Sequence, residues 1–186
     1  MTSTLTRLCA AAALIATFSA PAAAQQIGPS VSSDLDKDGL PELFHLADLD
    51  DDSIVELVIT RPGKPQIVAR DIAWRGGIGQ QPELSLAENE SVRLTSGNDS
   101  IGRGRWHLTL TIAYRRGAYR VAGYTYDWYD TLELADNGIC DLNLLSGKGI
   151  RQIDGGRQHP IRTSLSALPV TEWTDSIPVP PECSQN

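Results

Sequence analysis

Two stretches of this chain carry carboxylates at a spacing that suits a hard cation. They are Asp34-Leu35-Asp36-Lys37-Asp38-Gly39-Leu40-Pro41-Glu42 and Asp48-Leu49-Asp50-Asp51-Asp52-Ser53-Ile54-Val55-Glu56, offset by fourteen residues. In each, acidic oxygens fall at relative positions one, three, five and nine, and an apolar residue at seven offers only its backbone carbonyl. Calcium takes six to eight oxygens at roughly 2.3–2.6 Å in a flexible shell, so one tight loop can supply most of them. The candidate ligands are Asp34, Asp36, Asp38, Leu40 and Glu42 in the first loop, and Asp48, Asp50, Asp52, Ile54 and Glu56 in the second. Gly39 supplies the positive φ that a loop turning its oxygens inward needs, whereas the second loop has Ser53 there. An EF-hand would place a bidentate Glu at position twelve; His45 and Ile59 stand there instead, which excludes a helix-loop-helix site. The plainer reading is a pair of solvated acidic turns, since Asp readily bonds its own backbone in turns. Nine acidic residues lie between Asp34 and Glu56 against the single Lys37, and such a concentration repels itself unless a cation offsets it.

Other chemistry is thinner. There is no Gly-x-Ser-x-Gly elbow and no His-Glu-x-x-His pair, and His45, His107 and His159 are isolated in the sequence. The alternative is a hydrolase, in which the acidic cluster holds a catalytic metal or Asp127, Asp130 and Glu133 act as an acid/base pair. Four protein carboxylates per loop suit a closed structural ion better than an open catalytic one, so a non-enzymatic module is the preferred expectation.

Each ninth-position Glu is followed by a short apolar run, Leu43 to Ala47 and Leu57 to Thr60, of strand length rather than helix length. With those strands, residues 32–60 resemble the FG-GAP (integrin α-chain, VCBS-like) calcium loops, where an Asp-x-Asp-x-Asp-Gly-x-x-Asp turn leads into a strand. Glu replaces the last Asp in both copies, and the Phe-Gly and Gly-Ala-Pro landmarks of a full propeller repeat are missing. The resemblance implies calcium in the loops and no propeller, because a blade takes about 40–50 residues. Successive turns of an antiparallel meander lie at opposite ends of the sheet, so each loop is expected to hold its own ion, the first more tightly because it keeps Gly39.

Residues 1–24 read as a secretory signal peptide: Arg7, an apolar core from Leu8 to Phe18, and a small-residue cleavage site at Ala22-Ala23-Ala24. Removing them leaves one domain, 25–186, with no run long enough to span a membrane. The chain has 23 acidic residues against 16 basic ones, net −7, and loss of Arg7 with the leader makes it one unit more negative. That balance argues against nucleic acid or an anionic membrane as partner. Cys140 and Cys183 are the two cysteines beyond the leader, and in an exported protein they are expected to pair. In the chain-entropy model the bridge over 140–183 is worth on the order of 4 kcal/mol.

The remainder alternates turn signals with short strand-like pieces: Gln66 to Ala69, Asp71 to Trp74, and Ser91 to Thr95 followed by a turn at 96–99. The fold class expected is all-β, a single antiparallel meander or sandwich. The clearest hairpin is 105–129, turning at Arg116-Gly117, with Tyr114 beside Tyr119, Ile112 beside Val121 and Leu110 beside Gly123. In that register Tyr124, Tyr126 and Trp128 share the face of His107 and Thr109. The row is then either a binding surface for a protein or carbohydrate ligand, or core beneath a second layer such as the strands between Leu43 and Thr60. After a polar loop, Asp141 to Leu145 and Gly149 to Ile153 form another hairpin about Ser146-Gly147-Lys148. From Arg105 to Cys183 the chain also resembles exported bacterial proteins that carry a Cys-Asp-x-Asn-Leu-Leu-x-Gly segment and a second Cys, which implies export and a disulfide but no activity. Together these readings describe a periplasmic or secreted, calcium-stabilised binding or structural module.

Overall fold

A computed structural model describes residues 25–48, 53–77 and 79–184. The leader expected over 1–24, and Asp50 and Asp52 of the second acidic loop, lie outside the described residues. The fold is all-β, built from two antiparallel sheets. The first is a four-stranded meander: β1 (Gln25–Ser33), β2 (Glu42–Asp48), β3 (Ile54–Thr60) and β4 (Ile67–Trp74). The second has seven strands: β5 (Glu83–Leu86), β6 (Val92–Asn98), β7 (Gly104–Arg115), β8 (Ala118–Asp130), β9 (Asn137–Asn143), β10 (Lys148–Ile153) and β11 (His159–Arg162), paired in chain order. β2 runs from Glu42, where the first acidic stretch ends, to Asp48, where the second begins, so these two carboxylates stand at opposite ends of one strand.

One apolar core joins the sheets. Phe44, Leu46, Leu57 and Ile59 from the first pack with Leu94, Leu110, Ile112 and Val121 from the second, all at most 1% exposed. Aromatic rings bridge the layers: Phe44 meets Tyr119 edge-on at 6.0 Å, and Trp74 tilts against Trp106 at 5.5 Å. Such pairs add directional attraction to the area they bury.

The central hairpin departs from its expected register. Arg116 (φ 53°) and Gly117 (φ 77°) form the two-residue turn, with positive φ at both positions, which matches the strand twist. Tyr114 faces Tyr119 and Ile112 faces Val121, as the spacing predicts. A bulge then leaves Ala122 unpaired, and Leu110 faces Tyr124 while Thr111 faces Gly123. One inserted residue reverses the faces of everything beyond it. Tyr124, Tyr126 and Trp128 therefore stand beside Leu110, Leu108 and Trp106 on the inner face, not beside Thr109 and His107. Gly123 allows this, because a Cβ there would stand 3.1 Å from Thr111 Cβ.

Other boundaries move for similar reasons. The expected break between Gln66–Ala69 and Asp71–Trp74 is a bulge within one strand, with Asp71 at φ 53°. The turn expected at 96–99 is the end of β6, where Ser96, Gly97 and Asn98 pair with Leu108, His107 and Trp106. Strand β9 begins at Asn137, inside the expected polar loop, and Gly138 makes room for the Trp128 ring: a Cβ there would stand 2.4 Å from Trp128 Cζ2.

The C-terminal segment straps the sheets together. Val121 N–H donates to Leu168 O at 3.0 Å, Trp173 (2% exposed) lies 6.2 Å from Tyr124, and Asp175 accepts the Trp74 N–H at 3.1 Å. Burial raises the Asp175 pKa. The strap ends at the Cys140–Cys183 disulfide, with α-carbons 5.4 Å apart. No helix among the described residues is long and apolar enough to cross a membrane.

Candidate metal centre

The loop from Asp34 to Pro41 winds around its own carboxylates. Asp36 Oδ1 accepts the Asp38 N–H at 3.1 Å, Asp38 Oδ1 accepts the Leu40 N–H at 2.9 Å, and Asp34 Oδ2 accepts the Gly39 N–H at 3.1 Å. Lys37 and Gly39 take φ of 60° and 88°, the left-handed turn that keeps the side chains pointing inward. As a result Asp34, Asp36 and Glu42 each bring an oxygen within 4.8 Å of the others. Among the described residues this is the one group of three or more acidic, His or Cys side chains so gathered. Leu40 is half exposed, leaving its carbonyl as its ligand atom.

Glu42 anchors the loop from below. It is 1% exposed, accepts the Leu35 N–H at 2.8 Å and the Asp36 N–H at 3.4 Å, and takes a short hydrogen bond from the Tyr119 hydroxyl. Burial, then the Glu42 carboxylate, drive the Tyr119 pKa well above its ordinary value, so it remains a donor. Asp34 Oδ1 is buried and has no hydrogen-bond partner. A buried carboxylate oxygen left unpaired is costly, and a cation bound among these three groups would satisfy it. Asp38 points elsewhere: Lys64 Nζ bridges Asp38 Oδ2 at 2.5 Å and Asp36 Oδ2 at 3.1 Å. That ammonium is the main cause of the lowered Asp38 pKa, and Asp38 in turn raises that of Lys64.

At the second loop the described residues are differently engaged. Asp48 pairs with the Arg75 guanidinium, while its Oδ1 is buried without a hydrogen-bond partner. Ile54 opens β3 opposite Trp74, and Glu56 lies 3.6 Å from Arg70 Nε.

The aromatic row is part of the core. Tyr124 and Trp128 are each 2% exposed and Tyr126 is half buried. Tyr126 stacks on Trp128 at 5.7 Å, and the Arg151 guanidinium lies 5.7 Å from the Trp128 ring. The cover comes from Trp74 and Trp173 rather than from the strands between Leu43 and Thr60 alone. Of the two readings open for Tyr124, Tyr126 and Trp128, the rings take the core one, and the correction is to the face: the bulge at Ala122 turns them inward, away from Thr109 and His107. No family model, curated protein or solved structure matches the chain.

The carboxylates considered for acid/base work are dispersed. Asp127 bonds His107, whereas Asp130 pairs with Arg103 Nε at 2.5 Å and caps the N–H groups of Leu132 and Glu133. Those bonds, Arg103 foremost, hold Asp130 down at about 2, so it carries no proton to donate near neutrality. Burial lowers the pKa of His45, and His159 is exposed. Sequence reasoning missed two links, Glu42 to Tyr119 and His107 between two aspartates. The first joins positions 77 residues apart and leaves no local signal. For the second, Gly97 is a faint hint, since it clears space for the His107 ring.

Proposed function

We propose that this chain is an exported, non-enzymatic binding or structural module whose first acidic loop is closed by a calcium ion. The observation that carries this reading is the buried, unpartnered Asp34 Oδ1 beside Asp36 and Glu42. Asp34, Asp36 and Glu42 would hold the ion, with the Leu40 carbonyl and Asp38 completing the shell once Asp38 turns from Lys64. The ion would neutralise charge that repels itself and fix the β1–β2 loop against the core through Glu42. Export, to the periplasm or the medium, rests on the leader and on the disulfide, a bond that persists in oxidising compartments.

Titration calorimetry of the mature protein with calcium chloride tests the reading. Saturable binding with a dissociation constant near 10⁻⁴–10⁻³ M, the usual range of extracellular modules, is expected, and Asp34→Asn should remove it. Absence of binding in millimolar calcium would refute the calcium-stabilised module.

A further inference from the structure

His107 lies on the outer face of the seven-stranded sheet, with a carboxylate on each ring nitrogen. Asp99 Oδ1, in the loop between β6 and β7, lies 2.9 Å from Nε2, and Asp127 Oδ1, on β8, lies 3.1 Å from Nδ1. A neutral imidazole has one N–H to donate and one lone pair. Two carboxylates can both be served only by the imidazolium. The site is shaped for the ring: on β6, opposite His107, a Cβ at Gly97 would stand 2.3 Å from His107 Cδ2.

We propose that His107 is a pH-operated staple: as imidazolium it ties Asp99, at the head of the 99–103 loop, to β8, and on losing its proton it frees that end of the loop, while Arg103 and Asp130 keep the other end tied to β8.

The charged groups around the ring fit this role. Asp99 and Asp127 make the contacts, Glu83 on β5 lines the same hollow, and Arg105, two residues away on β7, shares that face with Arg93 on β6 and Lys148 on β10. Burial works against protonation, and the hydrogen bonds the ring donates to Asp99 and Asp127 more than offset it, so the pKa lies above the ordinary value. The sign follows: stabilisation is fully present below the unfolded-state pKa of about 6.5 and is lost as pH rises through the higher folded-state pKa. Asp99 is otherwise held through its N–H, which donates to Gln80 Oε1 at 2.8 Å, and Asn98 braces the loop from within through Ile101. Release therefore loosens the loop without unfolding the sheet.

The loop stands at an apolar end of the molecule. Ile101 is 57% exposed, and Thr131 N–H donates to Arg103 O at 3.1 Å, tying in the neighbouring loop with Leu132 (75%) and Leu134 (76%). These three are the most exposed large apolar side chains among the described residues.

The test is nuclear magnetic resonance of the intact mature protein. His107 should titrate above about 6.5 and His45 below it, and Asp99→Asn should shift the His107 titration downward. Amide protection at Asp99 and Ile101 should fall as pH crosses the His107 titration, once the intrinsic pH dependence of exchange is divided out, and Asp99→Asn should abolish that step. A His107 titration at or below the ordinary value, or protection unchanged across it, would overturn the staple. The wild-type measurement decides the matter even if the variant fails to fold.

Discussion

Glu42 and Glu56 occupy the same ninth position in the two acidic stretches, yet Glu42 is 1% exposed and takes two backbone N–H groups and the Tyr119 hydroxyl, whereas Glu56 lies 3.6 Å from the exposed Arg70. Asp34 and Asp48, both at position one, differ as well: the first accepts its own loop's Gly39 N–H, the second the Arg75 guanidinium. The local pattern fixes where the carboxylates stand along the chain. What they become is decided by groups that arrive from elsewhere in the fold. At the first loop the arriving cation, Lys64, reaches only Asp36 and Asp38; Asp34 Oδ1 stays unpaired, as Asp48 Oδ1 does at the second, but with oxygens of Asp36 and Glu42 within 4.8 Å.

The largest expected difference is between Glu42→Ala and Glu56→Ala. Removing Glu42 strands two N–H groups and a hydroxyl beside the core and should cost about 3–5 kcal/mol, as when one partner of a buried charged network is removed. Removing Glu56 breaks one solvent-screened pair and should cost less than about 1 kcal/mol. Chemical denaturation of both variants measures this, and equal losses would break the distinction.

Tyr119→Phe sharpens it further. The loss of one hydrogen bond to a charged, buried acceptor should cost roughly 1.5–3 kcal/mol, read as a lowered midpoint with an unchanged denaturant slope. A cost near zero would show that Tyr119 does not support the loop.

A smaller effect separates the turns themselves. Gly39→Ala meets no atom within 4 Å but must hold φ near 88°, which costs about 1 kcal/mol for a residue with a Cβ. Ser53, by contrast, already carries a Cβ, so Ser53→Ala adds no backbone strain and should be close to neutral by thermal melting.

Much of this was legible in the sequence. Alternation along Trp106 to Tyr114, the Arg116-Gly117 turn and the acidic spacing mark strands and loops directly, and Cys140 and Cys183, the two cysteines beyond residue 24, form the expected disulfide. The register beyond Ala122 was not legible, because a bulge adds one residue and Gly123 is as compatible with a regular strand as with a bulge. That single step decides whether Tyr124, Tyr126 and Trp128 face solvent or core. The same holds for Lys64, Arg75 and Tyr119, whose importance comes from where the sheets place them and not from any local motif.

Thermal melting in calcium and in chelator tests the central claim most directly, with the wild type compared against Asp34→Asn and Asp48→Asn. At a hundred times the dissociation constant one ion adds about 2.7 kcal/mol, which for a domain of this size is a rise of about 5–10 °C. The account predicts that rise in the wild type, its loss in Asp34→Asn and its survival in Asp48→Asn. A wild-type melting temperature indifferent to calcium, or a shift lost in Asp48→Asn and kept in Asp34→Asn, would contradict it.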